Sequence, residues 1–449
     1  MNRINILCTI AGIVLVANAS AQQAQSFSLD EAVSYAVKHN YQLQQATFDL
    51  DISKRKVKET TAIGLPQING EASYNNFIDI PTQVAEASAF DPTAPAGVLV
   101  PLQFGLPHSM SAGLTASQLI FDGSYFVGLK AAKEYVRASE LGLAQTESEI
   151  KNSVAQTYIS VLASQENVLA LIENKSNIER IFKETSALYE SGFLEKQDAD
   201  QMKLLRSNVN NQLDYAKRQE ANILNLLKFQ MGIPVSDSIG LTDNIEALVE
   251  SQSGASLSLL EQPFSPDKHI DFQTLEQGEK LTLLSLSNER ARFYPQLSAF
   301  FNHSQNAYRK DFDFMKSGGA WYPTTLWGVQ LKVPIFSSLQ GRQRTAQAKL
   351  EVAKIQSQKL QVEQSLNMQA MSAKSNYSSA LDRYNTVKED LELAKSIKER
   401  TLIKYNEGLA SSTDITATEN QYLTSLGNYI NTTLELLNSR LALDKALGN

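Results

Sequence analysis

The sequence predicts a mixed α and β membrane protein with four membrane-spanning β-strands per chain and long antiparallel coiled-coil helices, arranged as an internal duplication. Three observations support this fold class. A turn pattern, Y-x-x-G-x5-D, occurs at 189–198 and again at 405–414, an offset of 216 positions. Long segments with apolar residues spaced three and four apart flank each copy. Two-residue alternation of apolar and polar residues appears in four stretches, two in each half.

Composition narrows the function classes. The chain has 449 residues, a formal net charge of −7 and no long cluster of lysine and arginine, so we expect no nucleic-acid partner. The four histidines (His39, His108, His269 and His303) are isolated and lack metal-ligand spacing. Motifs for phosphate binding or an activated serine are missing from the sequence. We therefore predict neither an enzyme nor a bound cofactor or metal.

The first residues have the features of a secretory signal peptide. Arg3 supplies a positive charge, residues 4–16 are apolar, and the small residues 19–21 form a cleavage site. An apolar run of about 13 residues is too short to span a bilayer. We predict that 1–21 is removed and that the mature chain begins at Gln22. The only cysteine, Cys8, lies within the removed segment, which predicts a mature chain without disulfides or a lipid-bearing cysteine.

Each half opens with a predicted helix. The first begins at Ser28, which forms a capping box with Glu31, and runs to about Ile63. The second runs from about 268 to 293. A Leu-Pro dipeptide follows the first helix and a Tyr-Pro dipeptide follows the second, and proline ends each helix because it cannot continue the hydrogen-bond pattern.

Two strands follow in each half. We predict strands at 67–77 and 109–121 in the first half, and at 296–303 and 325–336 in the second. Irregular loops join the strands of each pair, and the first loop, from about 77 to 108, carries five prolines. The last strand alternates most clearly. The residues on its apolar face, which we expect to contact lipid, are Trp327, Val329, Leu331 and Val333.

A long helical hairpin completes each half. Helices on both sides of each turn pattern contain no proline, so each pattern is a tight tip between two antiparallel helices. Gly192 and Gly408 end the incoming helices because glycine tolerates positive φ. We expect Asp198 and Asp414 to cap the outgoing helices. The predicted organisation is a first repeat at 22–232, a linker with a small irregular element at 233–266, and a second repeat at 267–449.

Four strands in one chain require partners if the sheet enters a membrane. A four-stranded sheet has two open edges, and unpaired backbone groups at an edge cannot face lipid. The smallest membrane barrels have about eight strands. Two chains would supply about eight strands with a filled interior, and three chains about twelve with room for a pore.

The ordered set of these features resembles the TolC-type outer-membrane factors of bacterial efflux pumps and type I secretion systems. The features are the duplication, the two helix-to-strand prolines, the strand ends Leu-Ile-Phe-Asp-Gly and Pro-Ile-Phe, and both turn patterns. The resemblance covers residues from about 27 to 448. It implies a homotrimer with a 12-stranded barrel in the outer membrane and an α-barrel that extends into the periplasm. It also implies docking to a periplasmic membrane-fusion adaptor that is bound to an inner-membrane efflux or ABC transporter.

The same resemblance assigns roles to the tips. Residues implied to contact the adaptor are Gly192, Phe193, Leu194, Gly408 and Leu409; residues implied to gate the entrance are Asp198, Tyr405 and Asp414. The chain departs from the family pattern at Ser191 and Glu407, which precede the glycines. It departs again at Ala410 and Ala417, where a basic and an acidic residue are expected. The resemblance therefore implies a less charged entrance with a weaker closure.

Alternatives remain at this point. The tip glycines and aspartates could serve only as helix caps, with no partner. The whole chain could also be a periplasmic coiled-coil adaptor or structural scaffold, in which case the apolar strand face would lie in a protein core. An exit duct in the outer membrane is the preferred hypothesis.

Overall fold

A computed structural model describes residues 25–448, except for the side chains of 252–259. The predicted signal peptide and Cys8 lie outside this part of the chain. Long helices and antiparallel strands coexist in it, so the prediction of a mixed α and β chain is confirmed in that coarse form. The chain divides into two compact units. One unit, here called the sheet unit, comprises 45–145 and 266–365; the other, the hairpin unit, comprises 25–44, 146–265 and 366–448.

The sheet unit is built on one antiparallel sheet of four strands. They are β2 (Gln67–Asn76), β5 (His108–Asp122), β7 (Gln296–Arg309) and β8 (Tyr322–Lys332). Their order in the sheet is β2-β5-β7-β8. The central strands β5 and β7 come from different halves of the chain, so the duplicated strand pairs join side by side. The predicted bounds were too short for β7, and for β8 they began too late and extended too far. Val333, which was predicted to lie on the apolar face of that strand, therefore lies beyond the end of β8 at Lys332.

The two faces of this sheet differ in polarity. Residues that pair directly across strands share a face, because side chains alternate along each strand. On β8, Leu331, Val329 and Trp327 pair with Leu297, Ala299 and Phe301 of β7, which defines an apolar face. That face continues onto Ala116 and Leu114 of β5 and onto Ile68 of β2. The opposite face carries mainly Ser, Thr, Asn, Gln and Glu side chains.

Gly328 allows an aromatic ring to lie flat on the polar face. It pairs with Phe300 of β7, and a Cβ at this glycine would come within 2.8 Å of the Phe300 ring. A side chain here would displace the ring, so the glycine is required by the close approach and not by its backbone angle.

The predicted irregular loop between β2 and β5 is wrong in part, because it contains a second hairpin. Strand β3 (Thr82–Glu86) pairs with β4 (Leu99–Gln103) in a separate two-stranded sheet. Val84 pairs with Pro101, and proline is tolerated there because each strand of a two-stranded sheet has an open edge. The prolines suggested a loop, but they occupy positions that do not prevent pairing.

The hairpin unit contains two long helical hairpins. The first consists of α3 (Gly123–Glu190) and α4 (Lys196–Met231), and the second of α7 (Gln340–Asn406) and α8 (Ser412–Leu447). The first residues of α3 and α7 belong to the sheet unit. Helices α3 and α7 have 68 and 67 residues, and α4 and α8 have 36 each. The hairpins are therefore matched almost residue for residue.

Apolar residues of both hairpins pack together near the tips. One buried cluster unites residues of α3, α4 and α8: Ile178, Ile181, Met202, Leu205, Val209 and Ile415. Leu402 and Tyr405 of α7 pack against it. A second cluster lies farther from the tips and comprises Val168, Leu171, Leu213 and Ala216. Burial of these side chains stabilises the contact between the hairpins by roughly 1.5–3 kcal/mol per large residue.

The single helix predicted before the first strand is two helices, α1 (Leu29–His39) and α2 (Tyr41–Ile63). The predicted capping box of Ser28 and Glu31 is confirmed at the start of α1. Asn40 separates the helices: its Oδ1 accepts hydrogen bonds from the backbone N–H groups of Gln42 and Leu43 at 2.7 and 3.3 Å. Asparagine is favoured at such positions because its side chain competes with the helix for backbone donors.

The predicted linker is more ordered than expected. It contains β6 (Ile239–Leu241), which pairs in parallel with β1 (Gln25–Phe27), and α5 (Ile245–Glu261). The buried hydroxyl of Tyr158 lies 2.8 Å from the Phe27 carbonyl oxygen and 3.0 Å from Asp243 Oδ2. Burial raises the pKa of Tyr158, and the nearby Asp243 carboxylate raises it further. This group of residues 25–27, 239–243 and 158 is here called the amino-terminal clasp.

Candidate functional site at the two helical tips

Both tips have the same backbone geometry. Gly192 and Gly408 adopt φ values of 78° and 73°. In the first tip, the N–H groups of Gly192 and Phe193 donate to Tyr189 and Leu188 carbonyls; in the second, Gly408 and Leu409 donate to the equivalent carbonyls. This is the Schellman arrangement, which satisfies the last carbonyls of a helix. A Cβ at either glycine would meet nothing within 4 Å, so positive φ alone explains the glycines.

Each tip presents one apolar side chain to solvent. Phe193 and Leu409 occupy equivalent positions, and each is 78% exposed. Leu194, also among the predicted contact residues, is half-buried. The exposed pair is suited to insertion into an apolar pocket of a partner, because isolated large apolar side chains at rigid positions make good anchors.

The outgoing helices begin differently, and neither of the predicted aspartates is the N-cap residue itself. In the second tip the N-cap is Ser411, which forms a capping box with Asp414 three residues later. Hydrogen bonds from the Ser411 backbone and hydroxyl lower the pKa of Asp414. In the first tip the N-cap is Glu195, whose side chain makes no capping hydrogen bond. Asp198 is the third residue of its helix and is left available for another partner.

That partner is the second hairpin. The Ser412 hydroxyl, from a residue that is 1% exposed, donates to the Asp198 carboxylate. It also lies 2.9 Å from Gln201 Oε1, which accepts from the Thr413 hydroxyl at 3.1 Å. The first turns of α4 and α8 are therefore joined by a small polar network within one chain.

A second polar contact joins the incoming helices. The hydroxyl groups of Thr185 and Tyr405 lie 2.6 Å apart, and Thr185 is fully buried. Burial raises the pKa of Tyr405, although the hydrogen bond with Thr185 opposes this effect. Of the three predicted gating residues, Asp198 and Tyr405 connect the two hairpins, whereas Asp414 binds within its own turn.

Farther along the hairpins, a buried ion pair lies between α3, α7 and α8. Lys398 Nζ is 3.4 Å from Glu419 Oε2, 3.1 Å from Asn174 Oδ1 and 4.1 Å from the centre of the Tyr422 ring. Asn174 and Glu419 are 1% and 3% exposed. Burial raises the pKa of Glu419, and Lys398 offsets part of that rise. A cavity of about 120 Å³ adjoins these groups, enough space for a few water molecules.

We call the contacts of Thr185, Asp198 and Asn174 with the second hairpin the intrachain seam. The sequence analysis missed Thr185, Gln201, Ser412, Lys398 and Glu419. Thr185 falls on the apolar spacing of its helix, which could have marked it as a polar residue in a packed interface. The others carry no local signal, because their contacts with the first hairpin span more than 200 positions and the pairing of Lys398 with Glu419 joins two different helices.

The predicted lipid-facing residues are grouped on the sheet unit. Trp327, Val329 and Leu331 share the apolar face of β8 and are 78%, 56% and 61% exposed. A contiguous apolar surface of this kind marks a protein or membrane contact. Among residues 25–448, no cluster of His, Cys, Asp or Glu is arranged to hold a metal ion. None of the helices in that range combines the length and apolar character needed to cross a bilayer.

The structure thus defines a duplicated chain that combines two helical hairpins with a sheet that is apolar on one face. Comparison with known proteins identifies the family that has this fold. Residues 32–232 and 270–449 match the sequence model described as outer membrane efflux protein. The chain belongs to this family, and its location is the outer membrane.

Individual relatives agree with the family assignment. The chain is 22% identical over 431 residues to outer membrane protein TolC of Vibrio cholerae serotype O1, covering 94% of this chain and 90% of that protein. The CmeC outer membrane channel of Campylobacter jejuni has a TM-score of 0.70 at 18% identity, covering 94% and 85% of the two chains. The open state of the MtrE outer membrane channel of Neisseria gonorrhoeae has a TM-score of 0.69 at 17% identity, covering 94% and 89%. At these identities the solved structures establish a shared fold.

Proposed function

We propose that this chain is one subunit of a trimeric exit duct in the outer membrane, without catalytic activity of its own. The observation that carries the proposal is the four-stranded sheet with one apolar face and open edges at β2 and β8. In lipid these edges must be paired, since an unpaired backbone group there costs several kcal/mol. Three copies would close a barrel of about twelve strands with room for a pore. Strand residues Trp327, Val329 and Leu331 would face lipid.

We further propose that the two tips dock a periplasmic membrane-fusion adaptor, which in turn binds an inner-membrane efflux or ABC transporter. Phe193 and Leu409 support this role, because both are held on rigid turns and exposed to the same extent. Ser191 and Glu407 precede the two glycines, so each tip would offer the adaptor a different polar neighbour.

The polar contacts between hairpins would hold the periplasmic entrance closed. Asp198 and Tyr405 belong to the intrachain seam, so breaking their contacts would free one hairpin to move against the other. Asp414 would contribute to this closure through a contact on the other side of its hairpin.

The duplicated element order supports two repeats, 22–232 and 267–449, joined by 233–266. Each would supply two barrel strands and one long hairpin. The family match, in two segments that omit the whole of the joining region, is consistent with this division.

A charge on either face of β8 tests the membrane sheet. Val329→Arg should destabilise the trimer by about 2–4 kcal/mol, because arginine near the middle of the bilayer is costly on the lipid face. Gln330→Arg is the matched control, since residue 330 points to the opposite face. The measurement is the temperature at which the detergent-extracted trimer dissociates on gel electrophoresis.

Two results would reject the exit-duct proposal. One is recovery of the chain as a water-soluble periplasmic monomer, which would favour the coiled-coil adaptor or scaffold. The other is equal tolerance of arginine at 329 and 330, which would mean that the apolar face does not contact lipid.

A photo-crosslinking residue tests adaptor docking. Placed at Phe193 or Leu409 in cells, it should capture a periplasmic protein that itself co-purifies with an inner-membrane transporter. The same probe at Phe229, an exposed apolar position at the far end of α4, should capture none. Equal capture at all three positions would contradict docking by the tips.

A further inference from the structure

The duplication predicts contacts that a single chain cannot make. The intrachain seam joins one side of the first hairpin to one side of the second. In a closed ring made from several chains, each hairpin also has a neighbour on its other side, and for the second hairpin that neighbour is the first hairpin of the next copy. The two hairpins match at an offset of 216 positions. For each contact of the intrachain seam, we therefore add 216 to the residue number in the first hairpin and subtract 216 from the one in the second. The resulting residues are those that would meet between neighbouring copies.

The first contact to move is the hydrogen bond between Thr185 and Tyr405. Its equivalents are Thr401 and Tyr189, so both residue types are retained. Tyr189 is 40% exposed, and its hydroxyl makes no hydrogen bond within residues 25–448. The same hydroxyl pair can therefore form between two copies.

The second contact is between Asp198 and Ser412. Its equivalents are Asp414 and Lys196, which carry opposite charges. Lys196 is exposed and has no ion-pair partner in the described chain. The capping box uses Oδ2 of Asp414, which leaves Oδ1 available for a lysine of another copy.

The third seam contact is between Asn174 and Lys398, and Lys398 also pairs with Glu419 of its own hairpin. Moved by 216 positions, Asn174 and Glu419 become Asp390 and Lys203, which carry opposite charges, and the lysine between them becomes Phe182. Asp390 and Lys203 are both exposed, and neither pairs with any other described residue. The offset thus replaces two polar contacts within one chain by two pairs of opposite charge. Both pairs lie on surfaces that the single chain leaves exposed.

We propose that these residues form an intersubunit seam, in which Asp414, Asp390 and Thr401 of one copy contact Lys196, Lys203 and Tyr189 of the next. The proposal rests on the ring assembly described under Proposed function. It gives the entrance two kinds of contact. Each contact of the intrachain seam includes a buried side chain, from Thr185, Asn174 or Ser412. The intersubunit seam, by contrast, includes two exposed ion pairs that salt weakens. The intersubunit seam is therefore the one that opens first.

Cysteine crosslinking tests the geometry directly, because the predicted mature chain has no cysteine of its own. The full-length chain carrying Lys196→Cys and Asp414→Cys, treated in membranes with a short bis-maleimide, should give covalent dimers and trimers. The control pair, Thr185→Cys with Tyr405→Cys, should link within one chain and give a monomer of altered mobility.

Charge exchange tests the energetics without disturbing a helix cap. Lys203→Asp alone and Asp390→Lys alone should each raise passive ion conductance up to about fivefold, the range expected for an exposed pair. The double exchange should restore the original conductance, since the pair is re-formed with its charges reversed. High salt should raise wild-type conductance and reduce the difference between the variants.

The outcomes separate this proposal from the one on which it rests. A heat-sensitive trimer on the gel shows that each variant has assembled. A trimer that yields only monomers after crosslinking at 196 and 414, or a double exchange no better than the single variants, overturns the intersubunit seam alone. Absence of any trimer in the wild-type chain overturns both proposals.

Discussion

The two tips have the same backbone conformation, but their polar side chains bind different partners. Both have a glycine at positive φ, the same pair of backbone hydrogen bonds and an apolar side chain exposed to the same extent. At equivalent positions, however, Asp414 closes a capping box with Ser411, while Asp198 binds Ser412 of the other hairpin. The residue three positions before each aspartate decides which partner that aspartate binds. Ser411 caps its helix and hydrogen-bonds Asp414, whereas Glu195 makes no capping hydrogen bond. An identical motif therefore supplies a self-contained turn in one repeat and an inter-hairpin contact in the other.

Tyrosine substitutions should give the largest difference between the tips. Tyr405→Phe removes the partner of the buried Thr185 hydroxyl, and an unsatisfied buried hydroxyl costs about 1–3 kcal/mol. Passive conductance in planar bilayers should rise, by about tenfold for each 1.4 kcal/mol lost from the closed state.

The control is Tyr189→Phe, which removes a hydroxyl that makes no hydrogen bond within residues 25–448. It should leave the intrachain seam intact, so any effect must come through contact between copies. A rise in conductance as large as that of Tyr405→Phe would contradict that distinction.

Removing the capping serine should have a smaller effect, and only in the second tip. Ser411→Ala deletes the hydrogen bond to the Asp414 backbone and should cost about 1 kcal/mol of helix stability. Glu195→Ala at the equivalent position should change stability little, because Glu195 makes no capping hydrogen bond. Hydrogen exchange of the first turns of α4 and α8 measures both, and similar exchange in the two variants would show that the tips are capped alike.

The smallest expected effect is a dependence on pH that distinguishes Glu419 from its counterpart Lys203. Because burial raises the pKa of Glu419, the folded state binds its proton more readily than the unfolded chain. Relative to Glu419→Gln, the wild-type trimer should gain stability as pH falls through the raised pKa toward the usual value of 4.5. That gain is lost again as pH rises.

Other charged groups around Glu419 set the size of this effect. Lys398 pairs with it, and Glu173, Lys395 and Glu399 line the adjoining cavity. Lys203→Gln keeps Glu419, so its thermal dissociation, measured at a series of pH values, should run parallel to that of the wild type. A wild-type curve parallel to that of Glu419→Gln would mean that Glu419 titrates as it does in the unfolded chain.

Elements with a regular apolar period were predictable from the sequence. The long helices and the four strands of the main sheet each repeat apolar residues at a helical or a strand spacing, so their existence and order follow from spacing alone. The hairpin of β3 and β4 was missed because its two five-residue strands are too short to show a clear alternation and because Pro101 suggested a loop. The break at Asn40 was missed because the apolar spacing continues across it.

The tips were predicted as turns, and their glycines follow from backbone physics. The partners of their polar residues did not follow, because the rotation of one long helix against another decides whether Asp198 meets Ser412. A one-residue difference in α3 would turn that side of the helix by about 100°. Sequence spacing alone therefore placed Asp198 and Asp414 in the same role, whereas packing gives them different ones.

The amino-terminal clasp has a consequence for the order in which the chain folds. Its hydrogen bond from Leu29 to Asp243 spans 214 residues, so strand β1 has no pairing partner until the chain through β6 is present in the same compartment. Contacts of such long sequence separation form late, after local helices. Strand β1 is thus among the last elements to become fixed, and a chain cut short before Ile239 would retain a complete first hairpin whose Tyr158 hydroxyl has lost the Asp243 acceptor.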